Sequence, residues 1–180
     1  PETHKTIFDA VQLAKQRDTL VVENPEAANA RLSYPIDCVE NAYHEPGEFD
    51  HPDNIFFLTM DATGWFPPIS KISGEAVRKF FETGYTSQMP GTEAGSNEIK
   101  KTFSPCYGSP FMPRKIKEYS NLLINKIDKH NVNVYLVNTG LDSVGKRHPL
   151  EYTRRCIKTA IDLEVEDQSE RVLVTLEKLL

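Results

Sequence analysis

Apolar positions along the chain switch between a helical and a strand period, and that switching predicts alternating helices and strands. Ile7, Val11 and Ala14 share one side of a helix, so residues 5–17 are expected to form a short amphipathic one. The β-branched run from Thr19 to Val22 reads as a short strand, and Asn24-Pro25 breaks the chain after it. Ser33 to Val39 reads as another strand, and Pro35 within it points to an edge position or a strand start. Residues 41–54 are polar and hold two prolines and a glycine, the composition of a surface loop. Ile55 to Met60 is almost wholly apolar, the mark of a strand covered on both faces. It ends at Asp61, and a polar group at the end of a buried strand is where ligand sites of α/β sheets lie.

Ser73 is placed to cap a helix that runs to about Glu82 and closes at Gly84. From Tyr85 to Pro113 no period holds, so a long ordered loop carrying function is expected there. Ile116, Tyr119, Leu122, Leu123 and Ile127 line one face of a helix over 114–129. Asn133 to Val137 reads as a strand and 138–149 as a Gly/Asp/Ser loop. Residues 150–163 form the next helix, with Tyr152 or Thr153, Cys156, Ile157, Ala160 and Ile161 inward. The tail, 168–180, is amphipathic through Val172, Leu173, Leu176 and Leu180. Internal repeats are absent. The alternation places the chain in the α/β class, of mixed α+β character.

Composition narrows the functional classes. A chain of 180 residues that is 39% hydrophobic and 26% charged can bury an ordinary core, as one domain or a large piece of one. The formal charge of -5 and the lack of a basic tract argue against a nucleic-acid partner. No apolar run is long enough to span a membrane. The chain opens on Pro-Glu-Thr with neither an initiator Met nor a signal-like segment, so it is expected to be an excised or processed piece. Cys38, Cys106 and Cys156 are widely spaced and form no CxxC pair, which suits buried thiols in a reducing cytoplasm. His44 and His51 lie among Glu45, Glu48 and Asp50; without metal-ligand spacing, a solvated loop is the expected reading.

Several residues carry candidate chemistry. Gly140 to Arg147 satisfies G-x-x-x-x-G-K between a strand and a helix, but Arg147 stands where a phosphate loop needs Ser or Thr for its metal. Three readings follow: a true phosphate loop, a solvated turn with two cations, or a loop that contacts a nucleotide away from the metal. Arginine suits the third, because it stacks on flat bases and forks onto anions. Arg31, ahead of a strand, reads as a surface arginine or as a cation for phosphate. Asp61 reads as a turn carboxylate ahead of a metal ligand or base. Trp65 with Pro67-Pro68 reads as a packed corner, Thr92-Glu93 as loop hydrogen bonding, and Cys106 as a buried thiol.

One set of segments goes further. Asn29-Ala-Arg31-Leu-Ser-Tyr-Pro-Ile36, Leu58-Thr-Met-Asp-Ala-Thr-Gly64, Pro67-Pro-Ile-Ser-Lys71, Gly84-Tyr-Thr and Gly91-Thr-Glu93 occur in order. Thr102-Phe-Ser-Pro-Cys106, Leu136-Val-Asn-Thr-Gly140 and Gly145-Lys-Arg147 follow them. Over residues 29–163 the pattern resembles the C-terminal part of ATP-dependent phosphoenolpyruvate carboxykinase. The resemblance implies the C-terminal mononucleotide-binding lobe of that fold. It also implies a parent reaction that turns oxaloacetate and ATP into phosphoenolpyruvate, ADP and CO2, with Mg2+ and Mn2+. It assigns Arg31 to the transferring phosphate as catalytic and nucleotide-binding residue, and Arg147, His148 and Thr153 to the adenine site. The family's phosphate loop, its metal ligands and its oxaloacetate-binding arginine lie upstream of the matching part, so no metal ligand is assigned here.

The sequence also departs from that family. His148 stands where an aliphatic residue is common, Gln88 where lysine is, and residues 1–28 and 164–180 diverge. The expectation is therefore a single partial domain over 1–180, inactive alone, from a cytoplasmic enzyme of gluconeogenesis, completed by an N-terminal lobe or a partner chain. The alternative is a free-standing, non-catalytic binding or assembly module of the same family.

Overall fold

A computed structural model describes residues 12–16, 19–23, 49–88, 99–163 and 165–180. The chain divides into two compact units, residues 1–49 with 89–98 and residues 50–88 with 99–180. In the first unit the described residues form one antiparallel hairpin, β1 (Gln12–Gln16) on β2 (Thr19–Glu23). The β2 strand matches the expected β-branched run. Over Gln12–Gln16, however, the helix expected for 5–17 is a strand. Ala14 lies opposite Val21 and Leu13 opposite Val22. Backbone pairing with the β-branched run overrides the weak propensity of a short helix. Residues 5–11, the strand expected over 33–39 and loop residues 41–48 lie outside the described residues.

The second unit is built on a three-stranded sheet in the order β3 (Asn54–Thr59), β7 (Asn133–Asn138), β4 (Ile69–Ile72). β3 runs parallel to β7 and β4 antiparallel to it. Four helices, α1 (Gly74–Thr83), α2 (Ile116–His130), α3 (Leu150–Asp162) and α4 (Ser169–Leu179), complete the mixed α/β unit. α1 packs on α2 and α4, α4 also reaches β4, and α3 lies on β7. Phe57, Phe66, Ile72, Val77, Phe80, Tyr85, Val134, Leu136, Val172 and Leu176 share the core.

Several expectations about faces need correction. Among the described residues β3 is an edge of the sheet, and Leu58 is exposed while Phe57 is buried, so the strand is not covered on both faces there. On α2 the core takes Leu123, Ile124 and Ile127 beside buried Ser120, while Leu122 and Ile116 face outward. Ser120 explains the rotation: it donates to Glu82 on α1 and accepts from Arg78 Nη1 at 3.3 Å. Ile161 on α3 is exposed, and α4 buries Leu179 in place of Leu180.

The long loop expected over 85–113 contains regular structure. β5 (Tyr85–Gln88) pairs antiparallel with β6 (Lys100–Phe103), and two short 3-10 turns follow, Pro105–Tyr107 and Ser109–Phe111. Gly84, with φ of 57°, turns the chain from α1 straight into β5. A side chain there would collide with the backbone of Ser104. Strands this short show no usable period in sequence.

Candidate functional site

Two loops meet beyond the C-terminal ends of the parallel strands β3 and β7. Asn138, buried at the end of β7, staples them together. Its Oδ1 accepts from Asp61 N at 3.1 Å and Gly140 N at 2.8 Å, and its Nδ2 donates to Phe66 O at 3.1 Å and Leu141 O at 3.2 Å. Every polar atom of its side chain is satisfied, which a buried amide requires. Gly140 has no space for a side chain, because a Cβ would overlap the backbone of Asp61.

Asp61 is fully buried and organises the β3–β4 loop. Its carboxylate accepts from Thr63 N (2.9 Å), Thr63 Oγ1 (2.7 Å), Trp65 N (2.8 Å), Phe66 N (3.1 Å) and Tyr85 OH (2.9 Å). Burial works against its charge, but the donors from Thr63, Phe66 and Tyr85 outweigh it and hold the carboxyl below its usual value. Burial, assisted by the Asp61 charge, pushes the Tyr85 hydroxyl up to about 12, so it remains a donor. A carboxylate with this many partners orders a turn; it has no lone pair left pointing at a ligand.

The β7–α3 loop is closed in a similar way by Asp142. Its Oδ1 accepts from Val144 N at 3.0 Å and Lys146 N at 2.8 Å, and its own N–H donates to Lys146 O at 2.8 Å. Gly145 N donates to Asp142 O at 3.0 Å, and His148 N to Gly140 O at 2.9 Å. The loop does join a strand to a helix as expected. The amides of Asp142, Val144, Gly145 and Lys146, though, are spent on the loop's own carboxylate and carbonyls, and those of Gly140 and Leu141 on Asn138 and Asp61. A phosphate loop offers those amides to phosphate oxygens, so the phosphate-loop reading of Gly140–Arg147 does not fit. The side chains of Lys146 and Arg147 remain exposed.

Where this loop enters α3, Arg147, His148 and Thr153 come together. With Thr139, Pro149 and Leu150 they wall a cavity of about 500 Å³. Thr153 is buried, and its Oγ1 donates to Pro149 O at 3.4 Å. The His148 ring stands 5.6 Å from the Tyr152 ring, and the Arg155 guanidinium lies over the Tyr152 ring at 5.6 Å. The buried Nε2 of His148 has no hydrogen-bond partner among the described residues. A flat ring, a guanidinium and a hydroxyl around one hollow can stack on and hydrogen-bond a planar heterocycle.

Arg31, Thr92, Glu93 and His44 lie outside the described residues. Cys106 is buried, and burial, followed by the Glu82 charge, pushes its thiol up, which suits an inert thiol. The His51 and His130 rings lie with centroids 3.6 Å apart, tilted by 34°. No group of three or more His, Cys, Asp and Glu among the described residues could hold a metal. The roles of Asn138 and Tyr152 were not read from sequence. A lone amide closing the apolar strand Val134–Val137 was the available signal for Asn138.

The family profile described as phosphoenolpyruvate carboxykinase, in its ATP form, matches residues 2–175. The chain belongs to the ATP-dependent phosphoenolpyruvate carboxykinase family. Phosphoenolpyruvate carboxykinase (ATP) of Campylobacter jejuni (strain RM1221) is 45% identical over 161 residues, covering 87% of this chain and 30% of the relative. That of Bacillus cytotoxicus is 43% identical over 179 residues, 92% of this chain and 34% of its own length. That of Geobacillus kaustophilus is 38% identical over 180 residues, 92% of this chain and 34% of the relative. The chain thus spans about a third of the curated carboxykinases it matches. The profile reaches into both ends, 1–28 and 164–175, beyond the motifs of residues 29–163.

Proposed function

We propose that this chain supplies the nucleotide-base side of a phosphoenolpyruvate carboxykinase (ATP) active site. The parent reaction converts oxaloacetate and ATP to phosphoenolpyruvate, ADP and CO2, in the cytoplasm and in the direction of gluconeogenesis. The observation that carries this reading is the shared cavity of Arg147, His148 and Thr153, next to the loop motif of the family. Arg147 stacks on or forks around the base and ribose, His148 packs its ring on the adenine, and Thr153 hydrogen-bonds the base edge. Arg31 neutralises charge on the transferring phosphoryl group, where a positioned cation lowers the barrier most.

Mg2+ and Mn2+ belong to the parent reaction and neutralise phosphate charge there. The described residues offer no ligand set for them, so no step here is routed through a metal. Phosphoryl transfer draws most of its rate from positioning and metal electrostatics. This chain alone is therefore expected to form no phosphoenolpyruvate.

Calorimetric titration of ATP into the 180-residue chain tests the base site. Arg147→Ala and Thr153→Val should each weaken ATP binding about tenfold, roughly 1.4 kcal/mol. Affinity unchanged in both variants, or no heat at millimolar ATP, overturns the assignment. Phosphoenolpyruvate formed by the purified chain overturns the expected inactivity.

A further inference from the structure

A second cavity, of about 540 Å³, shares Arg147, His148 and Pro149 with the first. Its walls are Gly64 to Pro68 of the β3–β4 loop, Asp142, Ser143 and Lys146 to Pro149 of the β7–α3 loop, Tyr152 of α3 and Arg171 of α4. Three cations, Lys146, Arg147 and Arg171, face one carboxylate, Asp142, which already accepts two amide hydrogen bonds of its own loop. Among the described residues neither Arg147 nor Arg171 is in an ion pair. In a chain of net charge -5 this is a local reversal of sign. Trp65, Pro67, Pro68 and Tyr152 supply an apolar floor beneath the cations.

We propose that this cavity is a binding site for a small polyanion, separate from the base cavity and coupled to it. The volume lies within the range of small-molecule sites, about 300–1,000 Å³. Converging guanidinium and ammonium groups select phosphate or carboxylate oxygens. Coupling follows from geometry, since Arg147 and His148 line both cavities. A polyanion that recruits Arg147 withdraws it from a base next door, so the two ligands oppose each other. By linkage the opposition is equal in both directions. The anion site stands on its own residues; only the coupling rests on the nucleotide reading.

Trp65 is the single tryptophan of the chain, and it lines this cavity and not the base cavity. Its emission should therefore change saturably when pyrophosphate or citrate is added to the full chain. The two arms separate a phosphate preference from a carboxylate one. Arg171 is exposed and lies outside the base cavity. Arg171→Ala should weaken the anion about tenfold, and the effect should shrink as salt rises. Lys117→Ala, an exposed cation on α2, removes the same charge elsewhere and should leave binding unchanged. Saturating adenosine, which fills the base cavity without carrying a phosphate, should raise the apparent dissociation constant for pyrophosphate several-fold.

No saturable change, or equal binding by Arg171→Ala with circular dichroism intact, overturns the site. Equal loss in Lys117→Ala reduces it to general charge attraction and overturns it too. Loss of ATP heat in Arg171→Ala would merge the two cavities and end the claim of separateness. Failure of ATP to bind while pyrophosphate binds would sink the nucleotide reading and leave this site standing.

Discussion

Asp61 concentrates more hydrogen bonding than any other side chain described above, and its pH behaviour is calculable in sign. Its pKa in the folded chain is depressed. The stability it contributes is thus present above the unfolded value, about 3.9, and is lost as pH falls through the folded value. Melts recorded from pH 7 downward should lose stability below about pH 4. Asp61→Asn should be less stable at neutral pH by roughly 2–4 kcal/mol, because an amide NH2 faces the donors of Trp65 and Phe66. The variant should also lose less on acidification; an unchanged acid limb would show that other carboxylates set it. Tyr85→Phe removes one donor from the same carboxylate, and should cost about 1.5–3 kcal/mol in urea titrations.

At the scale of elements, the sequence made the long, strongly periodic segments legible. Helices at 74–83, 116–130, 150–162 and 169–179 and the strand at 133–138 stand within two residues or so of their expected ends. What periodicity could not supply was the choice between neighbouring faces. The apolar stripe of α2 includes Leu122, yet Ser120 faces α1 because Glu82 and Arg78 bind it there. No one-helix pattern contains that partner. The hairpin β5–β6 was hidden for a related reason: its strands are four residues long and polar at Lys100 and Lys101. The tail offers a direct test of facing. Leu176 is buried and Leu180 exposed. Leu176→Ala should therefore lower stability by about 2–5 kcal/mol, and Leu180→Ala by no more than about 0.5. Comparable losses in both would restore the facing expected from sequence. α4 is also tied at its start, where Ser73 N donates to Ser169 Oγ at 2.8 Å, and at its end, where Lys79 meets Glu177 at 3.0 Å.

For the whole molecule, the motifs revealed the family and a third of its length, whereas the geometry of the candidate site came only with the loops. Arg147, His148 and Thr153 were named from a resemblance; that they wall one hollow depends on Asn138 and Asp142, whose bonds fix the two loops. If Arg31 faces the transferring phosphoryl group, its effect can appear only when the phosphate-binding part of the family is supplied. Mixing this chain with the upstream two thirds of the Bacillus cytotoxicus relative, as a separate polypeptide, should restore phosphoenolpyruvate formation from oxaloacetate and ATP. In that mixture Arg31→Ala should lower kcat about a thousandfold, roughly 4 kcal/mol of lost transition-state stabilisation. KM for ATP should change far less, because the base contacts proposed above are those of Arg147, His148 and Thr153. Arg147→Ala should do the reverse, raising KM with kcat largely kept. A restored mixture in which Arg31→Ala keeps its rate would remove that residue from the chemistry, and the catalytic burden would rest wholly on the upstream part.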